Sequence, residues 1–173
     1  MGWGGIANLP PGFDVSGGKG ERSNLVDEVL KGRIPGVTSA QEEMFRDLKR
    51  HLLHRDYARY FELTLACGEV FREREQGKFL PRVLEDLIVP ALTVALEQME
   101  SVRRDMVRYA DSHRAPEYDP YSSLDQLFRK ARPIALTYPA AEGAALLEPR
   151  YRAITAEIRA LPADSSTAGA PPP

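Results

Sequence analysis

With 173 residues, 43% of them hydrophobic and 28% charged, and a formal net charge of −2, the chain has the make-up of a globular domain, which excludes a wholly disordered polymer and a strongly basic nucleic-acid scavenger. That length suffices for one domain with a real core and is short for two. Cys67 is the only cysteine, so no internal disulfide is expected, and the first residues lack the basic and apolar regions of a secretory signal; the expected setting is reducing, either cytoplasm or the inside of a virion or similar particle.

Residues 1–22 read as an extended arm. The stretch MGWGGIANLPPGFDVSGGKG holds seven of the thirteen glycines. It is no phosphate loop, because the spacing from Gly12 to Gly17 asks for lysine where Gly18 stands, and no strand precedes it. Myristoylation of Gly2 would want Ser or Thr at the position of Ile6. What is left is an arm whose glycines permit close backbone approach and whose apolar anchors are Trp3, Ile6, Leu9 and Phe13. A short helix is predicted over about Asn24 to Lys31, ahead of the turn-forming GRIPG.

Between Pro35 and Pro81 no proline interrupts. Ser39 with Glu42 forms a capping-box pattern, so a helix should begin near Ala40. At 100° per residue, Phe45, Leu48, Leu52, Leu63, Ala66 and Val70 fall on one stripe, and Leu53, Tyr57, Tyr60, Cys67 and Phe71 on an adjoining one. The stretch is one bent helix or two meeting at LHRDY, the second capped by Asp56, with Gly77 as the stop.

From Pro81 to about Ser112 a single long helix is predicted, because Val83, Leu84, Leu87, Ile88, Ala91, Leu92, Ala95, Met99, Val102, Met106 and Tyr109 share one face. Pro90 should lie on the opposite, polar face and kink the helix. Its most apolar run, Leu87 to Leu96, is about half the ~20 residues a membrane span needs. APEYDPYSS reads as a connector. Ser122 with Asp125 should open a short helix that Pro133 ends. A last helix, opened by Pro149 and closed by Pro162, carries Leu147, Tyr151, Ile154, Ile158 and Leu161 at alternating four- and three-residue spacing, a seam of about two heptads that should meet another helix, by preference in the same chain. Residues 163–173, rich in Ala and Pro, make a tail too poor in apolar groups to bury itself and expected to be flexible. The fold class is therefore all-α: an irregular helical bundle over residues 23–162 with one long kinked helix, between a Gly-rich arm and a Pro-rich tail.

Few residues invite chemistry. His51 and His54 are three apart, but no Glu-x-x-His accompanies them and His113 is the only other histidine, so no metal or other cofactor is expected. Cys67 falls on an apolar stripe, as a small hydrophobe does. The acidic pairs Glu85 with Asp86 and Glu97 with Glu100 are assigned to a solvated face. Arg46, Lys49, Arg50, Arg55 and Arg59 form a basic face, with further patches in RRDMVR and FRKAR, yet Glu42, Glu43, Asp47 and Asp56 dilute it.

The expectation is thus a non-enzymatic structural or adaptor subunit of a homo- or hetero-oligomeric assembly. It would bind other protein chains through Trp3, Ile6, Leu9 and Phe13 at one end and Tyr151, Ile154, Ile158 and Leu161 at the other. Virion neck or internal proteins and secretion-machine adaptors are the settings to test first. A helical regulator binding nucleic acid through Arg46 to Arg59 is the alternative, and an enzyme without a recognisable motif is the third class.

Overall fold

The computed structural model of the chain describes residues 23–162. The arm anchors Trp3, Ile6, Leu9 and Phe13 and the 163–173 tail lie outside the described residues. Among the described residues seven α-helices follow one another: α1 (Leu25–Leu30), α2 (Ser39–Leu53), α3 (Tyr57–Glu69), α4 (Leu80–Val83), α5 (Val89–Asp111), α6 (Pro120–Thr137) and α7 (Ala144–Ala160). A 3₁₀ turn over Arg74–Gly77 precedes α4, and a π turn over Leu84–Ile88 joins α4 to α5. The described residues contain no strand, so the fold is all-α, as the periodicity required.

The segment after Pro35 is two helices, not one. Thr38 caps α2: its hydroxyl accepts from the Gln41 amide at 3.1 Å while Gln41 Oε1 accepts from the Thr38 amide at 3.0 Å. The box is thus Thr38 with Gln41 and not Ser39 with Glu42; VTSAQEE carries both patterns one residue apart, and the earlier one adds a residue to the helix. At the other end Asp56 Oδ1 accepts from the Arg59 amide and caps α3. The α3 helix stops at Glu69, short of Gly77, and the chain turns through Glu75 and Gln76, both at positive φ.

Helical backbone runs unbroken from Leu80 to Asp111, in line with the long helix predicted there. The faces differ after its first turns. The Val89 amide donates to the Leu84 carbonyl five residues back, a wider turn than α, and Pro90 is buried instead of facing solvent because this part of the helix is covered on several sides. Asp86, expected on the solvated face, is 3% exposed, and its Oδ2 accepts from the Leu25 amide at 2.8 Å. The Glu85–Asp86 pair is thereby split between surface and core.

Two other prolines lie inside helices that the sequence placed them at the ends of. The α6 helix begins at Pro120, where Asp119 Oδ1 accepts from the amides of Tyr121 and Ser122, so Ser122 and Asp125 do not open it. It continues through Pro133 because Ala131 and Ile134, on either side, are fully buried. Likewise α7 starts five residues before Pro149, after Gly143 in a left-handed turn (φ 95°), since Leu147 in its first turns is buried. A proline deletes one backbone bond and strains one turn; burial of the neighbouring turns offsets that.

The core runs from Leu25 to Ile158. α5, α6 and α7 pack on one another, α1 to α3 and the π turn form a second group, and α3 against α6 joins the two. Phe45, Leu48, Leu52, Tyr60, Cys67, Leu87, Leu92 and Met99 are buried as their stripes predict. Leu53 is not: the last residue of α2, it is 56% exposed.

Candidate functional site

An apolar groove of about 350 Å³ opens among the described residues. One wall is the last turn of α3 with the residues after it, Gly68, Glu69, Phe71 and Arg72; a second is Leu80, Val83 and Leu84; the third is Thr137 to Ala140, where α6 has ended. Phe71 is fixed from behind, edge-on to Phe45 at 5.9 Å and tilted against Phe79 at 5.1 Å. Arg74 staples the connecting segment: its guanidinium lies 5.6 Å from the Phe71 ring centre and donates to the carbonyls of Val70, Pro35 and Gly36 at 2.9, 2.7 and 2.7 Å.

Gly68 lies under the Tyr138 ring. A Cβ there would stand 2.7 Å from the Tyr138 hydroxyl, so a larger residue would require the tip of that ring to shift. Burial, and then the charge of Glu69, push the Tyr138 phenol above its ordinary range, which keeps it a neutral donor and acceptor at physiological pH. Leu80, 48% exposed, stands at the rim. Periodicity along the sequence could not reveal this site, because its walls come from three distant segments. The one signal was Gly68 itself, a glycine in mid-helix, where it disfavours the helix unless a close approach needs it.

The chain enters the described domain beside this groove. The Ser23 carbonyl accepts from Arg82 Nη2 at 3.0 Å, Arg82 pairs with Glu28 at 2.9 Å, and Asn24 caps α1 by accepting from the Val26 amide at 2.8 Å. Arg82 and the groove residues Leu80 and Val83 belong to the same short helix.

On the basic face, carboxylates stand beside most of the cations. Arg46 bonds Glu42 and Glu43, Arg50 pairs with Asp47 at 2.8 Å, and Lys49 reaches Asp27 of α1 at 3.0 Å. Arg59 shares Glu62 with Lys130 of α6, at 3.3 and 2.7 Å, and these two cations hold the Glu62 carboxyl below its usual range, Lys130 first. The face is a set of local pairs, several of them joining helices, rather than a row of free cations awaiting phosphates. Arg55 differs: it takes a left-handed backbone (φ 60°) between α2 and α3 and lines a more polar cleft of about 330 Å³ with Tyr57, Phe61, Gln98, Ser101 and Gln126.

The C-terminal seam closes inside the chain. Ile154 and Ile158 are buried against α5 and α6, Tyr151 stacks on Phe128 of α6 at 4.3 Å, and Leu161 is half-buried just past the end of α7. Ile154 and Ile158 therefore pack within the chain and not on a surface open to another chain, as the partner expectation for the seam would have them, while Tyr151 and Leu161 keep part of their surface exposed.

His51 Nδ1 faces Asp56 Oδ2 at 3.2 Å, His54 caps the end of α2, and His113, at φ 55°, follows α5. Among the described residues no three His, Cys, Asp or Glu side chains converge on a metal position. Cys67 is fully buried, and burial, then the charge of Asp47, push its thiol up, which leaves it no thiolate at neutral pH. Among the described residues no helix is long and apolar enough to cross a membrane.

No family model, curated protein or solved structure matches the chain.

Proposed function

We propose that the protein is a non-enzymatic structural or adaptor subunit of a larger protein assembly, with its N-terminal arm as the principal contact element. The observation that carries this is a division of labour. Among the described residues, side chains from Leu25 to Ile158 form a shared core, while in the sequence four large apolar residues, Trp3, Ile6, Leu9 and Phe13, precede it on a glycine-spaced segment. Such anchors are informative where they have a cavity to fill, since tryptophan and other aromatics dominate the energetics of protein interfaces. Placement of the seam residues Ile154 and Ile158 inside the fold shifts the expected contact to the arm. Pairing of the basic face supports a protein partner over nucleic acid. Virion neck or internal structures and secretion machines are the assemblies to examine first.

Purification of the tagged full chain from its native source, after mild cross-linking, tests the reading. A partner at fixed stoichiometry is expected, and Trp3→Ala should weaken that association by about 2 kcal/mol or more, as loss of a tryptophan anchor does. Recovery of the chain alone, or salt-sensitive retention on DNA with no protein partner, would overturn it.

A further inference from the structure

We propose that the groove between α3, α4 and the end of α6 is the docking site of this chain's own arm, which lays the segment Leu9-Pro10-Pro11-Gly12-Phe13 across Tyr138 and Leu80 while the protein is free of partners.

The arm joins the domain at a short distance from the groove. Ser23 is held on one flank of α4 by Arg82, and Leu80, two residues away on the same helix, lines the groove on the other flank. The two lie on opposite flanks of one helix, so the arm has to pass around a cylinder about 10–12 Å across. Nine residues, 14–22, lie between Phe13 and Ser23, ten Cα-to-Cα steps in all. Fully extended they span about 33 Å, and as a glycine-rich coil they average about 17 Å end to end. The groove thus lies where the tether places Phe13 without being stretched.

Chemistry narrows the occupant. The groove is lined mainly by apolar atoms, with the Tyr138 and Phe71 rings and Pro139 in its walls. Aromatic-lined grooves take extended proline segments well, because proline fixes φ beforehand and little ordering entropy is lost on docking. Leu9-Pro10-Pro11 is such a segment, with a large apolar side chain at Leu9 and another just beyond at Phe13. The C-terminal tail also has prolines, but nothing in ADSSTAGAPPP is both large and apolar, so it would leave the space beside Leu80 unfilled.

Tethering decides between the chain's own arm and another's. A short flexible linker supplies an effective concentration in the millimolar range. A segment that binds the groove with a dissociation constant of only about 0.1 mM would then be docked about nine-tenths of the time, whereas a second copy at micromolar concentration would hardly compete. A partner that engages the arm has to release it first, so docking makes partner binding conditional on undocking. The proposal rests on the adaptor reading only in treating the arm as an apolar ligand.

A tryptophan moved along the arm reads the docking. In full-length Trp3→Phe/Phe13→Trp the single indole should emit blue-shifted fluorescence at every concentration at which the protein is monomeric, and adding Leu80→Asp, at a half-exposed rim position, should return the emission to that of a water-exposed ring with the helical circular dichroism unchanged. A photo-crosslinking amino acid at position 80 should capture residues 9–13 of the same molecule. Water-exposed emission that ignores Leu80→Asp overturns the proposal, and so does crosslinking to the 163–173 tail or only between molecules. Any of these would leave the partner reading standing. Failure to recover a partner would overturn that reading without touching the docking.

Discussion

At Arg55 the chain accepts a local conformation that its residue type does not favour. Three helices end in the same way, with an amide reaching back over the last turn: Arg33 to Glu28 after α1, Asp56 to His51 after α2 and Arg114 to Tyr109 after α5, at 2.9, 2.9 and 2.8 Å. This closure needs a left-handed residue, which is Gly32 in the first case but Arg55 and His113 in the others. A side chain there costs about 1–2 kcal/mol of strain, and glycine loses about 0.5–1 kcal/mol more chain entropy on folding. Arg55→Gly should therefore stabilise the protein by about 0.5–1 kcal/mol, raising the melting temperature by about 2 °C. A lower melting temperature would show that the guanidinium makes a contact in the polar cleft worth more than the strain. The end of α2 was legible because Asp56 is a cap residue standing where the apolar stripe breaks; the left-handed residue was not, because the sequence offered no glycine to mark it.

Among the elements, apolar periodicity located every long helix; some caps and stops were misplaced locally, and at the internal prolines tertiary packing outweighs a local rule. Pro133 and Pro149 looked like boundaries, yet Ile134 and Leu147 are buried deeply enough to carry α6 and α7 through them. Asp86 is the more consequential case. A straight 3.6-residue count puts it with Glu85 on the solvated face, but α1 packs over this stretch and Asp86 Oδ2 accepts from the first amide of α1. One carboxylate thus fixes where α1 docks, helped by Arg82 with Glu28 and Lys49 with Asp27. Asp86→Ala should leave the Leu25 amide buried without its acceptor and cost about 1–3 kcal/mol. Hydrogen exchange should show the loss concentrated in α1. A change confined to less than about 0.5 kcal/mol, typical of surface substitutions, would mean that α1 docks through its apolar face alone.

For the molecule as a whole, the core could be read from the sequence and the groove could not, because a stripe is a property of one helix whereas the groove joins residues 68–72, 80–84 and 137–140. Among the described residues, the entering chain is secured by the Ser23 bond to Arg82, the Asn24 cap and the Leu25–Asp86 bond. Two truncations should therefore differ sharply. Removal of residues 1–20 takes away at most a tethered ligand. If docking is tenfold favoured over release, its linkage to folding is about 1.4 kcal/mol, so the denaturant midpoint should fall by no more than about 0.5–1 M urea with little change in the slope of the transition. Removal of residues 1–25 also takes the cap, the Arg82 bond, the Asp86 bond and a fully buried leucine; loss of that side chain alone costs about 2–5 kcal/mol when it leaves a cavity. The second variant should melt far below the first, or lose α1. Should the first already unfold the domain, the arm belongs to the core, and neither a partner-binding arm nor one that docks reversibly in its own groove describes this protein.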